Sequence, residues 1–259
     1  MTAQKSSKNR KQAEKYSSSI AARQALRAWY KTPLGMSLHE QECQHLEAVL
    51  PKLFGYHVVQ LSNHTDNEYL DKSLIRHQVV ADYDEIGAVH ETSIRLNSHQ
   101  LPISSDSIDV VLLPHTLDLD MSPHLVLREA DRILVPEGRV VILGFNPWST
   151  WGLRHLANLW HGASPYNSRF ISPARMKDWL VLLGFEIESV NMFFFRPPLS
   201  HPFFIEKLQF LDRVGVKLWP AFGAVYLLVA KKQVSTLTPV KPRWFLRRRA
   251  QAAPGFLKT

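Results

Sequence analysis

Cys43 is the chain's only cysteine, so no disulfide can form within it. In a chain of 259 residues, that reads as a protein of a reducing compartment, the cytoplasm. Long hydrophobic runs are equally scarce. The longest, Leu218 to Ala230, has 13 residues, is interrupted by Pro220, and is too short to cross a bilayer. The first residues contain no apolar stretch of the kind a secretory leader needs. Metal-ligand spacing is also missing from the obvious places. There are 12 histidines, but none forms a His-x-x-x-His pair, there is no Cys-x-x-Cys, and Cys43 and His45 point to different sides of a helix, so no metal site is expected.

Acidic residues are absent from one end of the chain and nearly so from the other. Residues 1–31 carry a net charge of +7, with Glu14 the only acid, and residues 233–259 carry +6 with none. The formal net charge of the whole chain is +8, so the body, 32–232, is −5. The ends are rich in Ser, Gln, Pro, Lys and Arg and lack a sustained apolar period. Residues 1–22 and 233–259 therefore read as poorly ordered basic tails flanking one α/β domain at 23–232. Such tails either keep the protein soluble or attach it to nucleic acid or an anionic membrane. No nucleic-acid-reading motif accompanies them, and an acidic body is a poor platform for phosphates, so nucleic acid is not the favoured partner.

Between the tails, elements alternate. Leu46, Val49, Leu50 and Leu53 recur at helical spacing, predicting a helix over Ser37–Leu53 that ends at Gly55. Strands are predicted at Tyr56–Leu61, Leu74–Val80, Ser93–Leu96, Ile108–Leu113, Arg139–Phe145, Phe185–Phe195 and Val225–Ala230. Ser122 as cap and Pro123 in the first turn start a helix whose buried stripe is Leu125, Leu127, Ala130, Ile133 and Leu134. Ser172 and Pro173 start another, with Met176, Trp179, Leu180 and Leu183 inward and Gly184 as left-handed terminator. Phe204, Ile205, Leu208 and Leu211 mark a third. Continuous apolar strands alternating with helices imply a mostly parallel sheet covered on both faces.

The stretches LPISSDSIDVVLLPHTLD (101–118) and SPHLVLREADRILVPEGRVVILGFNP (122–147) resemble the second half of the cofactor domain in class I S-adenosylmethionine-dependent methyltransferases of the type 11 group. With Trp29–Gly35, Phe54–Leu61 and the Leu-Gly-Phe at 183–185, the body is similar to a bacterial subgroup of these proteins with weak cofactor loops. The resemblance implies a three-layer, Rossmann-like α/β fold with a seven-stranded sheet, S-adenosyl-L-methionine as cofactor, and a small-molecule methyl acceptor. It places the cofactor against Leu61, Ser62 and Asn63 after the first strand, Asn97 and Ser98 after the third, and Pro114 and His115 after the fourth. The family's acid after the second strand has three candidates, Asp82, Asp84 and Glu85. Asn97 stands where the family usually has Asp, and its side-chain oxygen can still accept from an adenine amine.

The loop after the first strand, Ser62-Asn63-His64-Thr65-Asp66, has no glycine, the residue that lets a backbone approach the cofactor closely. The alternative is therefore a methyltransferase fold that has lost catalysis and serves as a binding or regulatory protein. For an active enzyme, His115 is the candidate general base and Asp118 the residue that orients it. His115 has the alternative of simply bonding a neighbouring carbonyl. Asn146-Pro147 either lines the acceptor pocket or just ends the fifth strand. Trp148, Trp151, Leu153, Leu156 and Trp160 either form a lid or pack, and Phe193–Phe195 read as a buried strand end. The sequence does not identify the acceptor or the oligomeric state.

Overall fold

The structure, a computed structural model, describes residues 21–62, 67–82, 93–95, 99–158, 168–199 and 207–233. Seven strands form one sheet: β1 (His57–Leu61), β2 (His77–Asp82), β3 (Ser93–Arg95), β4 (Ile108–Pro114), β5 (Leu134–Phe145), β6 (Phe185–Phe193) and β7 (Val225–Lys232). Their order is β3-β2-β1-β4-β5-β7-β6. All pairings are parallel except those of β7, which runs antiparallel to β5 and β6. The helices are α1 (residues 21–30), α2 (Pro33–Val49), α3 (Thr116–Leu119), α4 (Pro123–Ile133), α5 (Thr150–Asn158), α6 (Pro173–Leu182) and α7 (Phe210–Leu218).

Alternation along the central strands divides the core in two. Val58, Val110, Leu112, Val141, Leu143 and Leu227 face α1 and α2, where Leu26, Leu34, Leu38 and Leu46 are buried. Val59, Val111, Leu113, Val140, Ile142 and Leu228 face α4 and α6, where Val126, Leu127, Met176 and Leu180 are buried. Both faces of β4 are covered, which is why its sequence is apolar without alternation.

Several local expectations needed correction. Helix begins earlier in the chain than the apolar period suggested. α1 precedes the predicted helix, and α2 starts at Pro33 because the Thr32 hydroxyl accepts from the Gly35 amide. Gly35 is required there, since a Cβ would sit 2.3 Å from the Trp29 carbonyl oxygen. Leu125 is exposed and Val126 takes its place in the α4 stripe. The Ser122 hydroxyl makes no cap, whereas Ser172 accepts from the Arg175 amide as predicted. β5 begins at Leu134 rather than Arg139. Its Pro136–Gly138 segment deforms the strand instead of ending it, with Glu137 at φ 67° and a register shift against β4. β6 stops at Phe193 because Phe194 turns to φ 59°. Gly184 ends α6 at φ 88°, as expected of its type. The helix predicted around Phe204 and Ile205 falls partly outside the described residues, and α7 starts at Phe210.

Candidate functional site

The strand order reverses between β1 and β4, and in open parallel sheets the crevice beyond that pair's carboxyl ends receives the ligand. Leu61 and Ser62 are buried at the end of β1. The Ser62 amide donates to the Ala81 carbonyl, and the Thr116 hydroxyl donates to the Leu61 carbonyl, tying the β4 exit to the β1 exit. Pro114 ends β4, and His115 follows in the left-handed region at φ 51°. Asp82 is the last residue of β2. Asn63, Asp84, Glu85, Asn97 and Ser98 lie outside the described residues.

The structure brings His115 and Asp118 together. His115 Nδ1 lies 3.1 Å from Asp118 Oδ2, and that oxygen also accepts from the Phe145 amide at 2.9 Å. The other ring nitrogen is engaged as well. Nε2 lies 2.9 Å from Glu42 Oε1, on α2. Glu42 has no exposed surface and accepts from Tyr30 Oη at 3.0 Å and from Tyr69 Oη at 2.6 Å. His39 Nδ1 lies 3.0 Å from the same Tyr69 hydroxyl. The result is a closed polar node at the strand tips, fed by α1, α2, the 3₁₀ turn Asn67–Leu70 and the β4 exit.

A ring nitrogen facing a carboxylate on each side suits the imidazolium, which donates from both. Burial alone would lower the His115 pKa. The Glu42 charge and the hydrogen bonds to Asp118 and Glu42 outweigh burial and push it up to about 9. Burial pulls Glu42 upward, but His115 and the tyrosine hydroxyl more than reverse that, and Glu42 is held below its ordinary value. Burial raises Asp118 and both tyrosines. The node therefore stores a buried cation against a buried anion.

Near the end of β1, Gln60 is fully buried, and neither its amide nitrogen nor its amide oxygen has a partner among the described residues. Asn146 is also fully buried, but its side chain serves the turn: the amide donates to the Ala221 and Gly223 carbonyls and the oxygen accepts from the Trp148 amide. Trp151 is buried edge-on to Trp29 and Phe194, while Trp148, Leu153 and Leu156 are exposed. Trp160 lies outside the described residues. Phe193 and Phe194 are buried, as their run predicted.

Sequence reading missed Glu42, Tyr30, Tyr69 and Gln60. A signal for Glu42 exists, because it sits four residues from both Leu38 and Leu46 in the middle of the buried stripe of α2. The reading also passed over His39 and Cys43, one helical turn apart, whose Nε2 and Sγ lie 3.7 Å from each other and near Glu68. The Cys43 thiol is pushed up to about 12 by burial and surrounding acids.

A family model described as a methyltransferase domain matches residues 53–142, from the turn before β1 into β5. The uncharacterised protein YafS of Escherichia coli is 33% identical over 219 residues, which are 82% of this chain and 84% of that protein. The chain belongs to the class I, type 11-like methyltransferase family. Solved structures share the fold. An S-adenosylmethionine-dependent methyltransferase of Thermotoga maritima superposes with a TM-score of 0.60 at 20% identity, covering 80% of this chain and 94% of that one. An S-adenosylmethionine-dependent methyltransferase of Archaeoglobus fulgidus gives 0.54 at 18% identity, covering 74% and 94%. The expected Rossmann-like architecture is therefore present in this member of the family, with β7 inserted antiparallel between β5 and β6. No described helix is long and apolar enough to cross a membrane.

Proposed function

We propose that the protein transfers a methyl group from S-adenosyl-L-methionine to a small-molecule acceptor. In this reading the cofactor lies across the tips of β1 and β4, against Leu61, Ser62, Asn63, Asn97, Ser98, Pro114 and His115. Asp82 ends β2 at the position the resemblance gives to the ribose-binding acid. The observation that carries the reading is the strand order. It opens a switch point between β1 and β4, and the fully buried amide of Gln60 lies next to the end of β1 with no partner among the described residues. Gln60 offers the crevice a neutral amide, and the His115 cation is covered on both ring nitrogens by Glu42 and Asp118. When bound, S-adenosyl-L-methionine supplies an electrophilic methyl group. The protein's contribution is to position the acceptor in line and to exclude water.

In this reading Asp118 orients His115 through Nδ1, while Glu42 takes Nε2. A ring held as imidazolium between two carboxylates keeps its protons at neutral pH. We therefore assign His115 the role of a fixed cation that sets the left-handed β4 exit and joins α2 to the strand tips. It becomes available as a base only as pH approaches 9.

One observation favours the alternative, a fold retained for binding or regulation: Tyr30, Glu42 and Tyr69 are packed against His115 at the exit of β4. Calorimetric titration with S-adenosylmethionine and S-adenosylhomocysteine separates the two. Micromolar binding of both supports the enzyme. Heat equal to buffer for both selects the alternative.

A further inference from the structure

We propose that the cavity between the first turns of α4 and α6 is the acceptor pocket, and that it selects small molecules bearing an oxyanion, a carboxylate or a phosphate, on an apolar ring-like body. The proposal rests on the methyltransferase reading for the word acceptor, and on the cavity itself for the chemistry.

The cavity measures about 760 Å³, within the range of small-molecule sites. It opens at the carboxyl end of the sheet. Met121 to Leu125 approach it from the β4 side, Pro147 and Trp148 from the end of β5, and Arg169 to Trp179 from the start of α6. A file of rings joins it to the strand tips. His115 packs on Phe145 with ring centres 4.1 Å apart, and Phe145 stacks on Phe170, a wall of the cavity, at 5.1 Å. An occupant is thus two rings away from the node at the cofactor crevice.

Its lining has one sign. Arg169 and Arg175 contribute guanidinium groups and His124 and His155 contribute imidazoles, while no Asp or Glu among the described residues lines it. The net charge of −5 over residues 32–232 makes this local concentration of cations a departure from the background. Neither arginine has a carboxylate within ion-pair distance among the described residues. Arg169 Nη1 donates to the Met121 carbonyl at 3.3 Å, and the Arg175 guanidinium lies 5.3 Å from the centre of the Trp179 ring. Both are exposed at the cavity and keep donors for a ligand. Guanidinium is the group best matched to the two oxygens of a carboxylate or phosphate. Apart from Ser122 and Ser172 the rest of the wall is apolar, with Trp148 and Pro147 suited to a planar body.

The test is calorimetric titration of the full chain with 1-naphthoate, 1-naphthyl phosphate and the uncharged isostere 1-naphthamide. At least one anion is expected to bind roughly tenfold or more tightly than the amide, the scale of one charge-assisted contact. Whichever anion binds better names the oxyanion. In the chain carrying Arg169→Gln and Arg175→Gln, anion affinity is expected to fall roughly tenfold or more and that of the amide to stay unchanged. Equal binding of anion and amide, no binding of any probe, or an unaltered anion affinity in the double variant would overturn the proposal. The first comparison needs no variant, so misfolding of the double variant cannot shield the proposal. S-adenosylhomocysteine is titrated into the same samples. Arginine-dependent anion binding without S-adenosylhomocysteine binding sinks the methyltransferase reading alone. S-adenosylhomocysteine binding without anion preference sinks the pocket alone.

Discussion

Replacing Glu42 with Gln keeps the shape of the buried node and removes its anion. In the native chain that carboxylate receives two tyrosine hydroxyls and the His115 ring, all buried. The His115 pKa is raised from its ordinary 6.5 to about 9. A raised value means that the folded state holds the proton more tightly. The resulting stabilisation is complete below pH 6.5 and is lost as pH rises through 9. A shift of this size corresponds to about 3 kcal/mol at the acid end, of the same order as the cost of breaking a buried ion pair. For a fold of this size that is a fall in melting temperature of roughly 6–12 °C for Glu42→Gln near pH 6. Near pH 9.5 the deficit should shrink to about 1 kcal/mol, the worth of the altered hydrogen bonds. Thermal melts followed by circular dichroism at both pH values test this. A deficit that is the same at the two pH values, or one below about 1 kcal/mol near pH 6, would refute the idea that a buried cation is held by Glu42.

Three further outcomes are expected. Asn146→Ala removes three hydrogen bonds made by a fully buried side chain and should cost about 3 kcal/mol in chemical denaturation, and Asn146→Asp, which keeps only the acceptor, should lose a similar amount. Gly35→Ala forces a methyl group to 2.3 Å from the Trp29 carbonyl and should destabilise by about 2–4 kcal/mol, with the near-ultraviolet signal of Trp29 altered. If methyl transfer is measurable, His115 will not appear as a base with an ordinary histidine pKa. The pH–rate profile should show no step near 6.5 attributable to it, and a step there that vanishes in His115→Gln would contradict the assigned role.

The middle of the fold was legible because β4, α4 and the end of β5 carry their burial in their composition. Ile108–Leu113 is apolar without alternation, and Val126, Leu127, Ala130 and Ile133 keep helical spacing. The start of β5 was not, because Pro136 and Gly138 normally end an element, whereas here a positive φ at Glu137 and a register shift absorb them. α1 was hidden by its charges: Arg23, read as part of a basic end, is buried and lies 3.7 Å from Asp120, and Tyr30 faces Glu42. At the site, proximity in sequence revealed His115 with Asp118, three residues apart. It could not reveal Glu42, which is 73 residues from His115 and reaches it only through the packing of α2 on the strand tips. The cationic cavity was invisible for the same reason, since its arginines, histidines and tryptophans come from three separate connections at one end of the sheet.

The claim on which the rest depends is that a sulfonium nucleotide lies at the tips of β1 and β4. A crystal structure of the full chain grown with saturating S-adenosylhomocysteine addresses it directly. Density for the nucleoside beside Ser62, with the sulfur close to Pro114 and His115, is the expected result. A crevice filled by Tyr30, Glu42 and Tyr69 with no nucleoside density, or nucleoside density elsewhere on the protein, would contradict it.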